Sequence, residues 1–276
     1  MQILSCLYRH VPVPPTVVAL SARLAATACT PIEMSSNRLT ALMARLAEVR
    51  RQIARGDLSD SRIITQELTL IRTELSAWLK SVSPSCACES FVQSEAFELG
   101  LGSRLGPYGG VCHRYPDVSS AFMWNNYRVT QILVCDMILS QLRPVATKAE
   151  DSSETREAQM KCSRIRPQMR RFAEEICYSV PDVLGLLHPH ASGAEPGPSL
   201  VRSSVGGFVL LFPLSFAVVV VDHPSSLSHW VFECFEVLAR VMGIQRALVL
   251  RQFLPGLCGQ YSWADKFAFP LETIIE

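Results

Sequence analysis

One uncharged run, residues 206–221, constrains the fold more than any other feature of the sequence. It reads GGFVLLFPLSFAVVVV and contains Gly206, Gly207 and Pro213. The run is shorter than the roughly 20 residues that cross a bilayer, and its glycines and proline interrupt a spanning helix. We therefore expect no membrane association. A helix that is apolar on every side belongs in the centre of a multi-layer helical domain.

Apolar residues elsewhere repeat at intervals of three and four, which is the period of an amphipathic helix. A first helix is predicted from Leu39 and ends at Gly56, a residue suited to a helix C-terminus. A second begins near Ser59 or Asp60 and ends at Pro84, so the two should form a helical hairpin. The apolar positions are Leu42, Leu46, Val49 and Ile53 in the first helix, and Ile64, Leu68, Ile71, Leu75 and Trp78 in the second.

Four further helices are predicted, and residues 85–116 are predicted as a long loop. The first covers residues 119–142, capped by Asp117 and closed by Pro144. The second is a polar stretch that Asp151 and Glu154 open, that Pro167 interrupts and that ends at Pro181. The last two cover residues 227–242 and 244–253. No stretch shows the strict alternation of an amphipathic strand. The predicted fold is all-α, a multi-helix globular domain with a buried central apolar helix and no significant sheet.

Two irregular segments divide this prediction into regions. Residues 1–36 are predicted as a poorly structured tail, and residues 37–276 as one helical domain in which residues 188–204 form a Pro-, Gly- and Ser-rich linker. The tail holds Arg9 and Arg23 but no acid before Glu33. That pattern keeps a mitochondrial presequence open as an alternative to an exposed tail.

Composition excludes several functional classes. The net charge is +1, without the broad basic excess that holds a nucleic acid, so we expect no direct DNA contact. Ten cysteines at irregular positions, several within apolar helical runs, favour a reducing compartment. The arginine groups at 45–55 and 164–171 are typical of solvated helix faces.

No arrangement of residues carries a recognisable catalytic or metal-binding pattern. Cys86 and Cys88 form a C-x-C pair and His188 and His190 an H-x-H pair, but both pairs lie in predicted loops. Cys112 precedes His113, although adjacency in sequence is weak evidence for a nucleophile and its base. We therefore predict no enzymatic activity, no cofactor and no metal.

Four ordered blocks resemble the regulatory domain of fungal Zn2Cys6 transcription factors. The first, residues 108–142, has a Tyr-Pro-Asp loop leading into a helix with Trp-Asn-x-x-Arg. The motif residues are Tyr115, Pro116, Asp117, Trp124, Asn125 and Arg128. The later blocks are EEICYSVPDVLG (174–185), GGFVLLFPLSFA (206–217) and WVFECFEVLARVMGIQRAL (230–248).

The resemblance implies an all-α domain that regulates transcription in the nucleus, with the cytoplasm as the alternative location. Its partners would be transcriptional co-regulators or other regulator chains, including a second copy as a homodimer. The chain lacks the six-cysteine zinc cluster of that family, so we expect either a truncated gene model or a relative acting through partners. The alternative function is a metabolite-binding protein or enzyme of a fungal biosynthetic cluster.

The motif residues are the candidate site. Trp124 and Arg128 lie one helical turn apart on the same face, with Asn125 beside them. A buried arginine needs polar partners. Tyr115, Asp117, Trp124, Asn125 and Arg128 should therefore form either a structural network, with the tryptophan in the core and the arginine on loop carbonyls, or a small-molecule site.

Overall fold

The computed structural model describes residues 13–27, 30–100, 103–148, 152–187 and 198–259, together with Cys6. Within these residues the protein is predominantly helical, which confirms the all-α prediction. The helices are α1 (Pro15–Thr27), α2 (Pro31–Arg55), α3 (Ser61–Ser81), α4 (Val118–Ala146), α5 (Ser153–Val183), α6 (Pro198–Val219), α7 (Ser226–Arg240) and α8 (Gln245–Phe253). The strands are β1 (Glu89–Val92), β2 (Phe97–Gly100), β3 (Ser103–Leu105) and β4 (Val111–Arg114).

Several predicted helix ends are confirmed by their capping residues. Helix α2 ends where Gly56 takes a left-handed conformation with φ of 77°. The side chain of Asp60 accepts from the backbone N–H groups of Arg62 and Ile63 and starts α3. Asp117 caps α4 by accepting from the N–H of Ser120 at 2.7 Å.

The start of α2 differs from the prediction. The helix begins at Pro31 because Thr30 and Glu33 form a reciprocal capping box. This start and all of α1 lie in residues 1–36, where a tail was expected.

The helix boundaries predicted at proline residues are wrong. Helix α4 continues through Pro144 to Ala146, and α5 continues through Pro167 and Pro181 to Val183. Each internal proline removes one hydrogen bond. Burial of residues on either side, such as Ile165 and Met169, keeps α5 helical because apolar burial outweighs the loss of a single bond.

The N-terminus of α5 is capped by Ser152, whose Oγ accepts from the N–H of Thr155 at 3.1 Å. Asp151, the predicted capping residue, lies outside the described residues. The predicted linker falls partly outside them as well, at residues 188–197, while residues 198–204 belong to α6.

Two small antiparallel ladders lie within the predicted loop of residues 85–116. Strand β1 pairs with β4 in the register Glu89↔Arg114 to Val92↔Val111, and β2 pairs with β3. Each strand has only three or four residues, which is too short for an alternating pattern to stand out in the sequence.

The described chain divides into two compact units. The first contains the described residues up to Cys86 together with Thr130–Met169, and the second contains Ala87–Val129 and the described residues of Arg170–Gln260. Helices α4 and α5 therefore each contribute residues to both units.

In the first unit, α2 packs against α3 as the predicted hairpin. The stripe of α3 is buried, and the indole Nε1–H of Trp78 donates to the carbonyl of Ser35 at 2.8 Å. Arg45 of α2 forms ion pairs with Glu67 and Glu74 of α3, at 2.9 and 2.7 Å.

In the second unit, the apolar run forms most of α6. Residues 213–221 are buried, which agrees with the predicted central helix. Gly206 approaches the carbonyl of Val183 so closely that a side-chain carbon at this position would overlap it. Glycine thus permits the close approach of α6 to the end of α5. No helix in the described part of the chain is long and apolar enough to cross a membrane.

Candidate functional site

The predicted site lies in the second unit, and Arg128 of α4 is at its centre. Only 1% of the Arg128 surface is exposed. A guanidinium carries five N–H donors and no acceptor, so its burial requires five acceptors. The residues that supply them, together with Arg128, are called the Arg128 cluster below.

Every N–H group of the Arg128 guanidinium donates to an acceptor. Nη1 donates to the hydroxyl of Tyr115 at 2.7 Å and to Oδ1 of Asn125 at 2.9 Å. Nη2 donates to Nδ1 of His113 at 3.1 Å and to the sulfur of Cys88 at 3.9 Å. Nε donates to Glu175 at 3.3 Å. These acceptors are side chains, so the expectation that loop carbonyls hold the arginine is wrong.

Two further hydrogen bonds join the motif residues to α5. Asn125 is fully buried, and its Nδ2 donates to the hydroxyl of Ser179 at 2.9 Å. The backbone N–H of Tyr115 donates to Asp182 at 3.2 Å. Glu175, Ser179 and Asp182 lie at successive turns of α5, so this one helix face holds the loop at Tyr115 and the start of α4.

Glu175 is the anion of the cluster. It also pairs with Arg171 at 3.1 Å, so two guanidinium groups share one carboxylate. Burial alone would lower the pKa of the Arg128 guanidinium. Its interactions with Tyr115, Cys88 and Glu175 together have a larger, opposite effect, so the pKa is raised. Arg128 therefore remains a cation in the interior.

His113 accepts from Arg128 and is therefore neutral. Because a guanidinium can only donate, Nδ1 must be unprotonated and the ring proton lies on Nε2. Burial, with a smaller contribution from the Arg128 charge, lowers the pKa of His113 from 6.5 to about 3. Its ring also makes an edge contact with Tyr178 at 5.3 Å between centroids.

The other acidic groups of the cluster are protonated at neutral pH. Burial raises the pKa of the Cys88 thiol, although the charge of Arg128 opposes that rise. Burial also raises the pKa of the Tyr115 hydroxyl. Cys88 is accordingly a thiol that accepts a weak hydrogen bond, and not the thiolate that cysteine nucleophiles require.

Asp117 and Trp124 have other roles than the cluster residues. Asp117 is exposed and caps α4. Trp124 is only half-buried, so the expectation that it lies in the core is wrong. Its ring lies 5.7 Å from the Arg128 guanidinium carbon, in range of a cation–π contact that covers the arginine.

Five residues of this network were not predicted as site residues from the sequence: Cys88, His113, Glu175, Ser179 and Asp182. For three of them a signal existed, because Glu175, Ser179 and Asp182 lie in the second resembling block at helical spacing. Nothing in the sequence indicated that β1 and β4 would bring Cys88 and His113 to the same arginine.

The Cys112–His113 pair has no nucleophile–base geometry. His113 belongs to the Arg128 cluster, whereas burial and the nearby Asp182 raise the pKa of Cys112 to about 11. His188 and His190 lie outside the described residues. Among the residues that are described, no three His, Cys, Asp or Glu side chains are grouped to hold a metal ion.

The Arg128 cluster joins a strand, a loop and two helices through a saturated set of hydrogen bonds. A small-molecule site at Arg128 would have to leave some of the guanidinium N–H donors available to the ligand. Since all five donors are used, the arrangement supports the structural network rather than the small-molecule site. Comparison of the chain with protein-family models, with curated proteins and with solved structures finds no significant match.

Proposed function

We propose that this chain is the helical regulatory domain of a fungal zinc-cluster-type transcription factor, acting in the nucleus through protein partners without touching DNA itself. The proposal rests on the resemblance of four sequence blocks. One structural observation supports it most: the defining residues of all four blocks lie in the same compact unit and contact one another.

The contacts run through each block in turn. Arg128 and Asn125 of the first block bond to Glu175 and Ser179 of the second. Gly206 of the third block abuts Val183 of the second. Gly207 has Leu238 and Met242 of the fourth block beside it.

The fourth block also contacts the start of the first. Trp230 donates through its indole N–H to the carbonyl of Gly106, two residues before the first block, at 2.8 Å. The same ring meets Tyr108 edge-on at 5.6 Å between centroids. Residues that pack together in one unit are expected to occur as a set in related chains, and the contacts between the four blocks support the proposal in this sense.

A tethering experiment tests the regulatory role. The full chain is fused to an unrelated DNA-binding module, and transcription of a reporter with the matching site is measured in a fungal host. We expect the fusion to change reporter output at least several-fold, and the untethered chain to leave it unchanged.

Two controls make this result specific. Arg128→Met, which should destabilise the second unit, should weaken the effect, while Arg171→Met, at an arginine that is 79% exposed, should preserve it. Reporter output equal to that of the DNA-binding module alone, from a fusion shown to be folded and nuclear, would reject the proposed function.

A further inference from the structure

An open groove in the first unit belongs to none of the contacts described so far. It encloses about 630 Å³ between α3, the C-terminal part of α4 and the N-terminal part of α5. Its apolar lining consists of Leu70, Leu142, Val145 and Ala158. Leu70 is 45% exposed, and Leu142 and Val145 are half-buried. The groove therefore offers apolar surface to an occupant.

Several polar groups of the lining already have partners within their own helices. Thr65, Thr69 and Thr73 each donate their hydroxyl to the carbonyl four residues earlier in α3. On the α5 wall, Lys161 is paired with Glu157 at 2.7 Å. Because these groups need no further hydrogen bonds, the groove favours an occupant that is mainly apolar.

The segment that follows the described residues has an apolar pattern of the required kind. Residues 261–269 read YSWADKFAF, and four of these nine are aromatic, against 8% of the whole chain. The aromatic residues fall at every second position, with Asp265 in the middle of the series: Tyr261, Trp263, Phe267 and Phe269. Alternate residues of an extended chain share one face. An extended segment therefore presents an aromatic face that carries a single acid, whereas segments that stay in solvent have few aromatic residues.

The charges of this segment match those of the groove walls. Arg62 lines the groove from α3 and Glu154 lines it from α5. Neither makes an ion pair within the described part of the chain. Asp265 and Lys266 are adjacent, so in an extended chain they point to opposite sides. The segment can thus present its acid to the α3 wall and its base to the α5 wall.

The covalent connection favours this segment over a separate molecule. Gly259, directly before it, is held by a hydrogen bond from its backbone N–H to the carbonyl of Val219 at 3.2 Å. An extended chain advances about 3.3 Å per residue, so Phe269 can lie up to about 33 Å from Gly259. A segment tethered in this way has an effective concentration on the order of millimolar, so that even a weak contact is largely formed.

We propose that residues 261–269 bind in an extended conformation along the groove of their own chain. The aromatic face packs on Leu70 and the half-buried apolar side chains, Asp265 pairs with Arg62, and Lys266 pairs with Glu154. Another protein that uses the groove must first displace this segment, which makes the groove a regulated contact surface. This inference does not depend on the proposed function.

The test follows digestion of the full chain by endoproteinase Lys-C, which cuts after lysine. Cleavage after Lys266 removes residues 267–276, a loss that mass spectrometry detects. Each rate is divided by that of a free peptide with the same sequence. The wild type should be cleaved about tenfold more slowly than the peptide, since the protease acts on molecules in which the segment has left the groove. Leu70→Asp should remove this protection, because it replaces apolar contact area with a charge.

Leu79→Asp is the matched control and should leave the protection unchanged. Leu79 is on the same helix and 40% exposed, but it does not line the groove. Arg62→Glu should speed cleavage about threefold, as expected for an exposed ion pair. Adding Asp265→Arg to that variant should restore the protection, which an unfolded protein could not do. A wild-type rate equal to that of the peptide, or protection that survives Leu70→Asp, would overturn the proposal. So would protection that increases with protein concentration, because the segment would then bind another copy.

Discussion

At the scale of single residues, the second unit depends on one buried cation. Arg128 joins the residue before β1, strand β4, the loop at Tyr115 and α5 through hydrogen bonds to the side chains of Cys88, His113, Tyr115 and Glu175. Loss of the guanidinium would leave buried acceptors without partners, which costs more than the net value of the bonds themselves. The cluster is therefore a sensitive point for stability.

We expect Arg128→Met to lower the free energy of unfolding by about 3–5 kcal/mol, the range found when one partner is removed from a buried charged network. Methionine fills a similar length, so the loss reports on the donors and not on a cavity. Arg171→Met removes an exposed arginine that shares Glu175 and should cost under about 1 kcal/mol. Chemical denaturation measures both. Equal and small losses would show that the cluster contributes little.

His113 makes the stability of the protein dependent on pH. Its pKa is about 3 when folded and 6.5 ordinarily, so the unfolded chain takes up the proton first as the pH falls. The contribution is complete above pH 6.5 and is lost progressively between 6.5 and 3. Near pH 5 the loss should amount to about 2 kcal/mol.

His113→Asn provides the comparison, because its amide oxygen can accept from Arg128 but does not titrate in this range. Denaturation of both proteins from pH 7 to pH 4 should show a shallower decline for the variant. Parallel curves would mean that His113 is not held neutral in the folded state.

At the scale of elements, tertiary contacts decide where helices begin, end and approach one another. Capping residues such as Asp60 and Gly56 act locally, and the ends they set were predictable. Pro167 and Pro181 were misleading because residues on either side of them are buried, and Pro144 was misleading because it lies within the last turn of α4. Tertiary contacts also distinguish Gly206 from Gly207. The two glycines are adjacent in one helix, but their surroundings differ, and the sequence does not indicate that difference.

Gly206→Ala and Gly207→Ala should differ in stability. An added carbon at Gly206 meets the backbone carbonyl of Val183, which cannot move aside without shifting α5. At Gly207 the nearest atoms are side-chain ends of Ile244, Met242 and Leu238. Alanine gains about 1 kcal/mol of helix propensity at either site. We expect a net loss of about 1–3 kcal/mol at Gly206 and little change at Gly207, measured by thermal unfolding. The reverse order would contradict this packing.

At the scale of the whole molecule, net charge limits the direct interactions of the chain. With +1 overall, the chain has little electrostatic attraction for a polyanion. We expect no sequence-specific shift of duplex DNA by the purified protein at physiological salt. A sequence-selective shift at nanomolar protein would contradict this expectation.

The sequence alone determined the helical class, the α2–α3 hairpin and the buried apolar run, because helical period and capping chemistry are properties of neighbouring residues. It also pointed to Tyr115, Asn125 and Arg128, since a motif arginine on an apolar helix must find partners. Only the tertiary structure decided that those partners are Cys88, His113 and Glu175, and that Trp124 is half-buried beside them. Partners distant in the chain depend on how short strands and long helices pack, and no local pattern encodes that arrangement.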